Sequence, residues 1–302
     1  MTAKQDSASE REIVIKREFA APRELVWKVW TQPEHITKWW GPRGFNTTVT
    51  EMDFRPGGKW RYVMHGPDGV DYPARGVFRE VVPPERIVTT DEFDEGWQPP
   101  QPIDLPSGIV ATAVFDAIGI RTRLTLTISH ATVEDKNKHA AMGVEGGWNS
   151  SFDCMDDYLM ALTDEVTVRQ LIADQTKAIC EKNVDKLMRP YAPDLVAFDA
   201  IPPFQTNGAD AWRQTWASCL PHFPETFAIE TRDLRLTVSG TVAFAHWLFR
   251  FTGPEKDHPA MQSWMRLTGC YQKIEGEWRI VHEHCSVPFD PHTSKALLTL
   301  DV

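Results

Sequence analysis

Residues 140–162, AAMGVEGGWNSSFDCMDDYLMAL, decide how the first half of this 302-residue chain folds. Val144, Trp148, Phe152, Met155, Leu159 and Leu162 recur at helical spacing and share one face. Glu145, Asn149, Asp153, Asp156 and Asp157 occupy the opposite face. The pattern predicts an amphipathic helix roughly 30 Å long, enough to lie across a curved sheet.

The sheet is written upstream of that helix. Residues 12–20, EIVIKREFA, alternate apolar and polar and predict a strand. Pro22 opens a short helix carrying Leu25, Val26, Val29 and Trp30, and Pro33 opens a second. From 47 to 130 the pattern is strand-like, with strands expected at 47–54, 58–65, 71–82, 86–95, 108–117 and 121–130. Neighbours in sequence should pair, giving an antiparallel meander. Residues 96–107, GWQPPQPIDLPS, hold four prolines and are expected to form a loop or lid. His35, His65, His130 and His139 are expected at the surface.

Composition limits what the protein can be. Hydrophobic residues are 42% and charged residues 25%, an ordinary globular balance. The length favours two domains. Net charge is −10, and both halves are acidic on either side of Thr163. Nucleic acid and anionic membrane surfaces are therefore disfavoured as partners. The polar N-terminus does not read as a signal peptide, and no apolar run is long enough to span a membrane, so a cytoplasmic protein is expected. Five cysteines without C-x-x-C spacing suggest free thiols. No G-x-G-x-x-G, P-loop, G-x-S-x-G or H-E-x-x-H is present, and no cofactor or metal is expected.

Four runs are familiar in type: REFAAPRELVWKVWTQPEHITKWWGP, DFRPGGKWRYVMHGPDG, GVFREVVPPERIV and GVEGGWNSSFDCMDDYL. Residues 11–163 resemble the START-like (SRPBCC) superfamily, in the branch named for homologues of the activator of the heat-shock chaperone ATPase. The resemblance implies a helix-grip fold with an apolar cavity between sheet and helix, and hydrophobic small molecules as ligands. The eponymous co-chaperone has an additional N-terminal chaperone-binding domain, which is not expected in the short stretch before Arg11. On this fold Trp60, Tyr62 and Met64 would share the inner face of one strand, with Trp148 and Phe152 as the helix wall.

The second half begins after a hinge expected at Thr163-Asp164-Glu165. Helices are expected at 166–182, 184–191 and 209–220, with Trp212 and Trp216 on one side of the last. LVAFD (195–199) reads as a strand ending in Asp199, and four long strands follow at 226–238, 241–252, 261–274 and 277–287. In the last of these, alternation places Trp278, Ile280, His282, His284 and Ser286 on one face, and Arg279, Val281, Glu283 and Cys285 on the other. Two imidazoles and a hydroxyl would then form a polar patch inside a pocket. An H-x-H pair can also bind metal, with Asp199 or His246 as a third ligand if the fold brings them in. Satisfied core or interface histidines are the plainer alternative.

The runs YAPDLVAFDAIPPF, GADAWRQTW and WRIVHEHCSVPFD make residues 166–290 resemble the SnoaL-like, nuclear-transport-factor-like fold that includes ketosteroid isomerase. That resemblance implies a cone-shaped α+β domain with a deep pocket, and a homodimer through the outer sheet face. It places Asp199 at the isomerase's catalytic carboxylate and Gln175 where the family has a tyrosine. The second acid should come from MQSWMRLTGCYQK, which has no carboxyl group; Arg266, His282 or His284 would have to serve as donors.

The sequence thus predicts a two-domain α+β protein binding hydrophobic, ring-containing small molecules. Trp60, Tyr62, Met64, Trp148 and Phe152 would line the first cavity. Gln175, Trp212, Trp216, His246, Trp264 and Ser286 would line the second. One alternative is a cofactor-independent cyclase, isomerase, dehydratase or hydrolase using Asp199, His282, His284 and Arg266. Another is a chaperone cofactor or dimeric interaction module.

Overall fold

The computed structural model describes residues 8–94, 97, 104–255, 261 and 263–300. It divides into two units, Met1–Met160 and Ala161–Val302. Most of the proline-rich stretch at 96–107 lies outside the described residues.

In the first unit, β1 (Glu12–Phe19) is followed by α1 (Arg23–Thr31) and α2 (Pro33–Trp39). Six strands come next: β2 (Asn46–Met52), β3 (Lys59–His65), β4 (Asp71–Val82), β5 (Arg86–Phe93), β6 (Ile109–Ile118) and β7 (Arg121–Ser129). They form one sheet in the order β1-β7-β6-β5-β4-β3-β2. The expected meander is present, and β1 closes onto β7 with Ile13 opposite Ile128 and Phe19 opposite Thr122. A helix that the sequence reading missed, α3 (Val133–Ala141), is capped by Thr132, whose side chain accepts from Asp135 N.

α4 (Val144–Cys180) carries the apolar face read from the sequence. Phe152 and Met155 are fully buried, and the Phe19 and Phe152 rings meet edge-on at 5.9 Å. Its acidic face is met by arginines: Arg17 reaches Asp153 at 2.6 Å and Asp156 at 2.7 Å, and Arg43 reaches Asp157 at 2.8 Å. The expected break at Thr163-Asp164-Glu165 is absent. No Gly or Pro interrupts that stretch, and buried Asp164 accepts from Lys273 Nζ at 2.7 Å and Trp278 Nε1 at 2.9 Å. Helical propensity continues through a segment with nothing to stop it.

Two histidines depart from the surface expectation. His130 and His139 are 4% and 8% exposed, and their rings share a 2.9 Å hydrogen bond between Nε2 and Nδ1. Burial, and then the neighbouring imidazole, push His139 down to about 4.

The second unit adds α5 (Val184–Met188), β8 (Tyr191–Phe198), the two-residue β9 (Thr206–Asn207) and α6 (Ala209–Cys219). Its long strands are β10 (Ala228–Ser239), β11 (Val242–Thr252), β12 (Met265–Ile274) and β13 (Glu277–Ser286). The sheet order is β10-β11-β12-β13-β8-β9, with β8 parallel to β13 and the other pairs antiparallel. The core joins Val168 and Ile172 of α4 to Leu187, Leu195, Trp247, Tyr271 and Ile280. Helix α5 ends at Met188 rather than 191, because Pro190 has no N–H to donate to the preceding turn and so cannot continue the ladder. That frees Tyr191 to open β8.

Among the described residues, no helix is long and apolar enough to cross a membrane. The five cysteines are free thiols.

Candidate functional site

The second unit encloses a cavity of about 220 Å³ between α4, α6 and the inner face of its sheet. Trp212, Trp216, Phe223, Trp247, Phe249 and Phe251 supply most of the aromatic wall. An engineered apolar cavity of about 150 Å³ accepts benzene. The volume here therefore suits a substituted single ring or a compact bicycle.

Polar groups gather at the wall. Glu283 is 4% exposed; its Oε1 accepts from Gln175 Nε2 at 2.7 Å and its Oε2 from Tyr191 OH at 2.6 Å. Gln175 Nε2 also donates to Tyr191 OH at 2.6 Å. Burial raises the Glu283 carboxyl, and these donors only partly offset that. Asp199, at the end of β8, accepts from Ala200 N at 2.6 Å and is likewise raised by burial. The negative charge of Asp199 adds to the rise at Glu283. Two carboxyl groups thus face one apolar cavity, and neither ionises as easily as it would in water. Cys219 and Cys285 also line the wall, and burial pushes the Cys285 thiol up to about 12.

Position Glu283 corrects the sequence reading. Regular alternation would place His282 and His284 inside and Glu283 outside. The register breaks at Val281: Ile280 pairs with Tyr271, whereas His282 pairs with the adjacent Cys270. One extra residue in β13 is a bulge, and it reverses which side chains point inward. Trp278, Ile280 and Glu283 are consequently buried, while His284 is exposed. His282 bonds through Nδ1 to Val196 O at 2.8 Å, and both imidazoles pack edge-on against the half-exposed Phe198 ring. Neither histidine lines the cavity.

The other expected site residues divide as follows. Gln175, Asp199, Trp212 and Trp216 line the cavity together. Arg266 and His246 are exposed and stand outside it, and Ser286 is half-buried away from it. Trp264 is buried elsewhere, with the guanidinium groups of Arg232 and Arg250 at 4.6 and 4.7 Å from its ring. Arg266, His246, Ser286 and the outer-face histidines fall away because β11, β12 and the bulged end of β13 turn them outward. Among the described residues, no group of three or more His, Cys, Asp or Glu side chains could hold a metal.

In the first unit the space between sheet and helix is largely filled. A void of about 40 Å³ remains, lined in part by Trp60, Tyr62 and Trp148 as expected. Phe152 is packed into the core rather than lining it. Met64 lines a separate open groove of about 770 Å³ with Tyr72, Phe93 and Trp97. The filling comes from ring-on-ring packing: Trp30 stacks on Trp148 at 5.9 Å, and Trp40 meets Trp148 at 5.0 Å and Tyr62 at 5.1 Å.

Sequence reasoning missed Glu283 and Tyr191. Pro190 was the available signal for Tyr191, since it ends α5 early. Glu283 had no such signal, because nothing in WRIVHEHCS marks the bulge.

Two family descriptions match the chain. "Activator of Hsp90 ATPase homolog 1-like protein" matches residues 20–160, and "SnoaL-like domain" matches residues 168–290. No curated protein matches. Among solved structures, an NTF2-like protein of unknown function from Pseudomonas putida KT2440 is 36% identical; the match covers 47% of this chain and 98% of that one, with a TM-score of 0.44. Protein Ms6760 from Mycobacterium smegmatis is 30% identical over 52% of this chain and 96% of its own, with a TM-score of 0.46. A protein from Arthrobacter aurescens is 29% identical over 53% of this chain and 91% of its own, with a TM-score of 0.47. Residues 20–160 therefore form an Activator of Hsp90 ATPase homolog 1-like, START-like domain, and residues 168–290 a SnoaL-like domain.

Proposed function

We propose that the SnoaL-like domain binds an apolar, ring-containing small molecule that carries an acceptor oxygen. The carrying observation is the cavity of about 220 Å³ with its aromatic wall and its few polar groups. The Trp216 indole N–H is buried and meets no acceptor in hydrogen-bond geometry among the described residues, whereas the Trp212 indole N–H acts on Glu283 and Tyr191. The wall therefore holds donor capacity that a carbonyl or phenol oxygen on a guest would use. Native mass spectrometry of the isolated protein, with acetophenone and ethylbenzene as added probes, tests this. Acetophenone should bind more tightly than its oxygen-free analogue; equal or absent binding of both removes the reading.

A second reading, proton transfer on the bound ligand, is favoured by the two raised carboxyl groups at one cavity. Asp199, the more accessible, would take a proton from carbon next to a carbonyl, and an indole N–H would meet the oxygen as charge develops there. No cofactor enters this scheme. Exchange of the acetophenone methyl protons in D2O reads it directly. Asp199→Asn should reduce the protein-dependent rate by at least about 100-fold; an unchanged rate excludes Asp199 as the base.

A homodimer through the outer sheet face is proposed alongside. Phe244, Cys270 and His282 form one row across β11, β12 and β13, and Val242 and Phe244 are 53% and 49% exposed. Analytical ultracentrifugation of Phe244→Glu should shift a dimer toward monomer.

A further inference from the structure

The small void in the first unit has one polar feature that its aromatic packing does not explain. Ile87, Thr89 and Asp91 alternate along the inner face of β5 and line it together. Asp91 brings a carboxyl group to a wall that is otherwise largely apolar and includes the Trp30, Trp40, Trp60, Tyr62 and Trp148 rings. The donors nearby are committed elsewhere: Trp60 Nε1 gives its proton to Thr89 Oγ1 at 2.6 Å, and Tyr62 OH points to Met52 Sδ at 3.7 Å. Basic side chains do not help either. Arg61 and Arg75 pair with each other in register on the opposite face, where they meet Asp94 and Glu92. The charge that acts on Asp91 is that of Glu92, which has the same sign.

The surrounding wall is firmly built. Gly76 lies opposite Trp60 in the β3–β4 ladder, and a Cβ there would come within 2.5 Å of Trp60 Nε1 and 1.9 Å of Thr90 O. The bare glycine is what lets the indole lie across β4. Tyr62 packs on Trp60 at 4.8 Å and on Trp40 at 5.1 Å, which fixes ring faces on several sides.

A carboxylate in such a place is expensive unless a cation joins it. Aromatic faces attract cations too, and ammonium groups most usefully when water is excluded. We propose that the first unit recognises an alkylammonium group, a protonated or methylated amine, held between Asp91 and the Trp40, Trp60, Tyr62 and Trp148 rings. The size agrees: about 40 Å³ corresponds to roughly three water-sized groups at about 10–15 Å³ each. That is room for a small amine head and no more.

A tail would have somewhere to go. Moving two residues along β3, from Tyr62 to Met64, leads from the void to the open groove of about 770 Å³. The same step along β5 goes from Asp91 to Phe93, and one turn back along α4 goes from Trp148 to Val144. Three elements therefore pass in the same direction from the void to the groove, whose mostly apolar wall also carries Asp68, Asp104, Lys138 and His139. The ligand class is an amine head with an apolar tail. This goes beyond the reading of the second domain and does not depend on it.

Hexyltrimethylammonium, hexylammonium, 1-hexanol and hexanoate, titrated into the whole protein at pH 8, test the idea. Binding is read from indole cross-peaks in 1H–15N NMR spectra and by calorimetry. At least one cation should bind tenfold or more tightly than hexanol, with hexanoate weakest and the Trp60 or Trp148 indole signal shifting. Asp91→Asn should abolish the preference while leaving hexanol affinity within about twofold; Asp91→Ser is the second neutral variant should the first fold poorly. Equal affinity for cation and alcohol, a preference that survives both substitutions, or no indole shift at millimolar ligand would each overturn the proposal.

Discussion

Tyr191 donates its phenolic proton to Glu283 Oε2 across 2.6 Å, joining the first residue of β8 to the bulged strand β13 in a buried pair. Gln175 of α4 bonds to both partners, so three elements meet at one carboxyl group. Such a network is valuable when complete and costly when broken.

Removing the phenol exposes that cost. Tyr191→Phe leaves Glu283 short of one donor and should destabilise the protein by about 1–3 kcal/mol. The loss should depend on pH. Burial raises Glu283 above its ordinary 4.5, so its stabilising contribution is present below 4.5 and fades as pH rises through the folded value. Without Tyr191 the folded value climbs further. Urea denaturation should therefore show a larger loss at pH 8 than at pH 4.

The histidine pair should give an opposite acid response. His139 is held at about 4, below its usual 6.5, so the folded state resists a proton that the unfolded chain accepts. The contribution is intact above pH 6.5 and is lost as pH falls from there toward 4, by about 2–3 kcal/mol. In His139→Asn that stretch of the pH–stability curve should flatten relative to the parent protein. Parallel curves for the two proteins would mean that His139 is not responsible.

Position 269 has no room for a side chain. A Cβ at Gly269 would meet Tyr271 OH at 2.7 Å and Cζ at 3.0 Å, and Tyr271 is 1% exposed. Gly269→Ala must push a buried ring and should cost about 1–3 kcal/mol. Gly269 also pairs with Glu283, so the chemical environment of that carboxyl should change, as 13C-carboxyl NMR would show.

The outer imidazoles supply a contrast. His284→Ala should leave ligand affinity in the cavity within about twofold, whereas Glu283→Leu should change it tenfold or more. Calorimetry with whichever probe binds decides between them. Equal effects from the two changes would mean that β13 does not present the faces described.

Much of the architecture could be read from sequence because period and punctuation agreed. The strands of the first unit follow turn signals such as Pro56-Gly57-Gly58, and the inner row Trp60, Tyr62 follows simple alternation. The resemblance puts Asp199 and Gln175 at the second cavity, helical spacing puts Trp212 and Trp216 on one side of α6, and all four line it. Failure came where local rules are silent. No residue type announces the bulge at Val281, so plain alternation sends the histidines inside and Glu283 out. Cavity size was also beyond reach, since a row of tryptophans can wall a space or fill it. In the first unit they mostly fill it, and the difference is a matter of tertiary packing.

The bulge has a consequence for how this domain tolerates change. Because Val281 is the supernumerary residue, deleting it would restore an uninterrupted ladder and still leave Glu283 and Cys285 turned toward the lumen. Straightening the strand with Val281 retained would instead swap a carboxyl and a thiol for two imidazoles. The chemistry presented to a guest is therefore governed by parity, an odd or even count of residues between Ile280 and the mouth, as much as by which amino acids the strand contains.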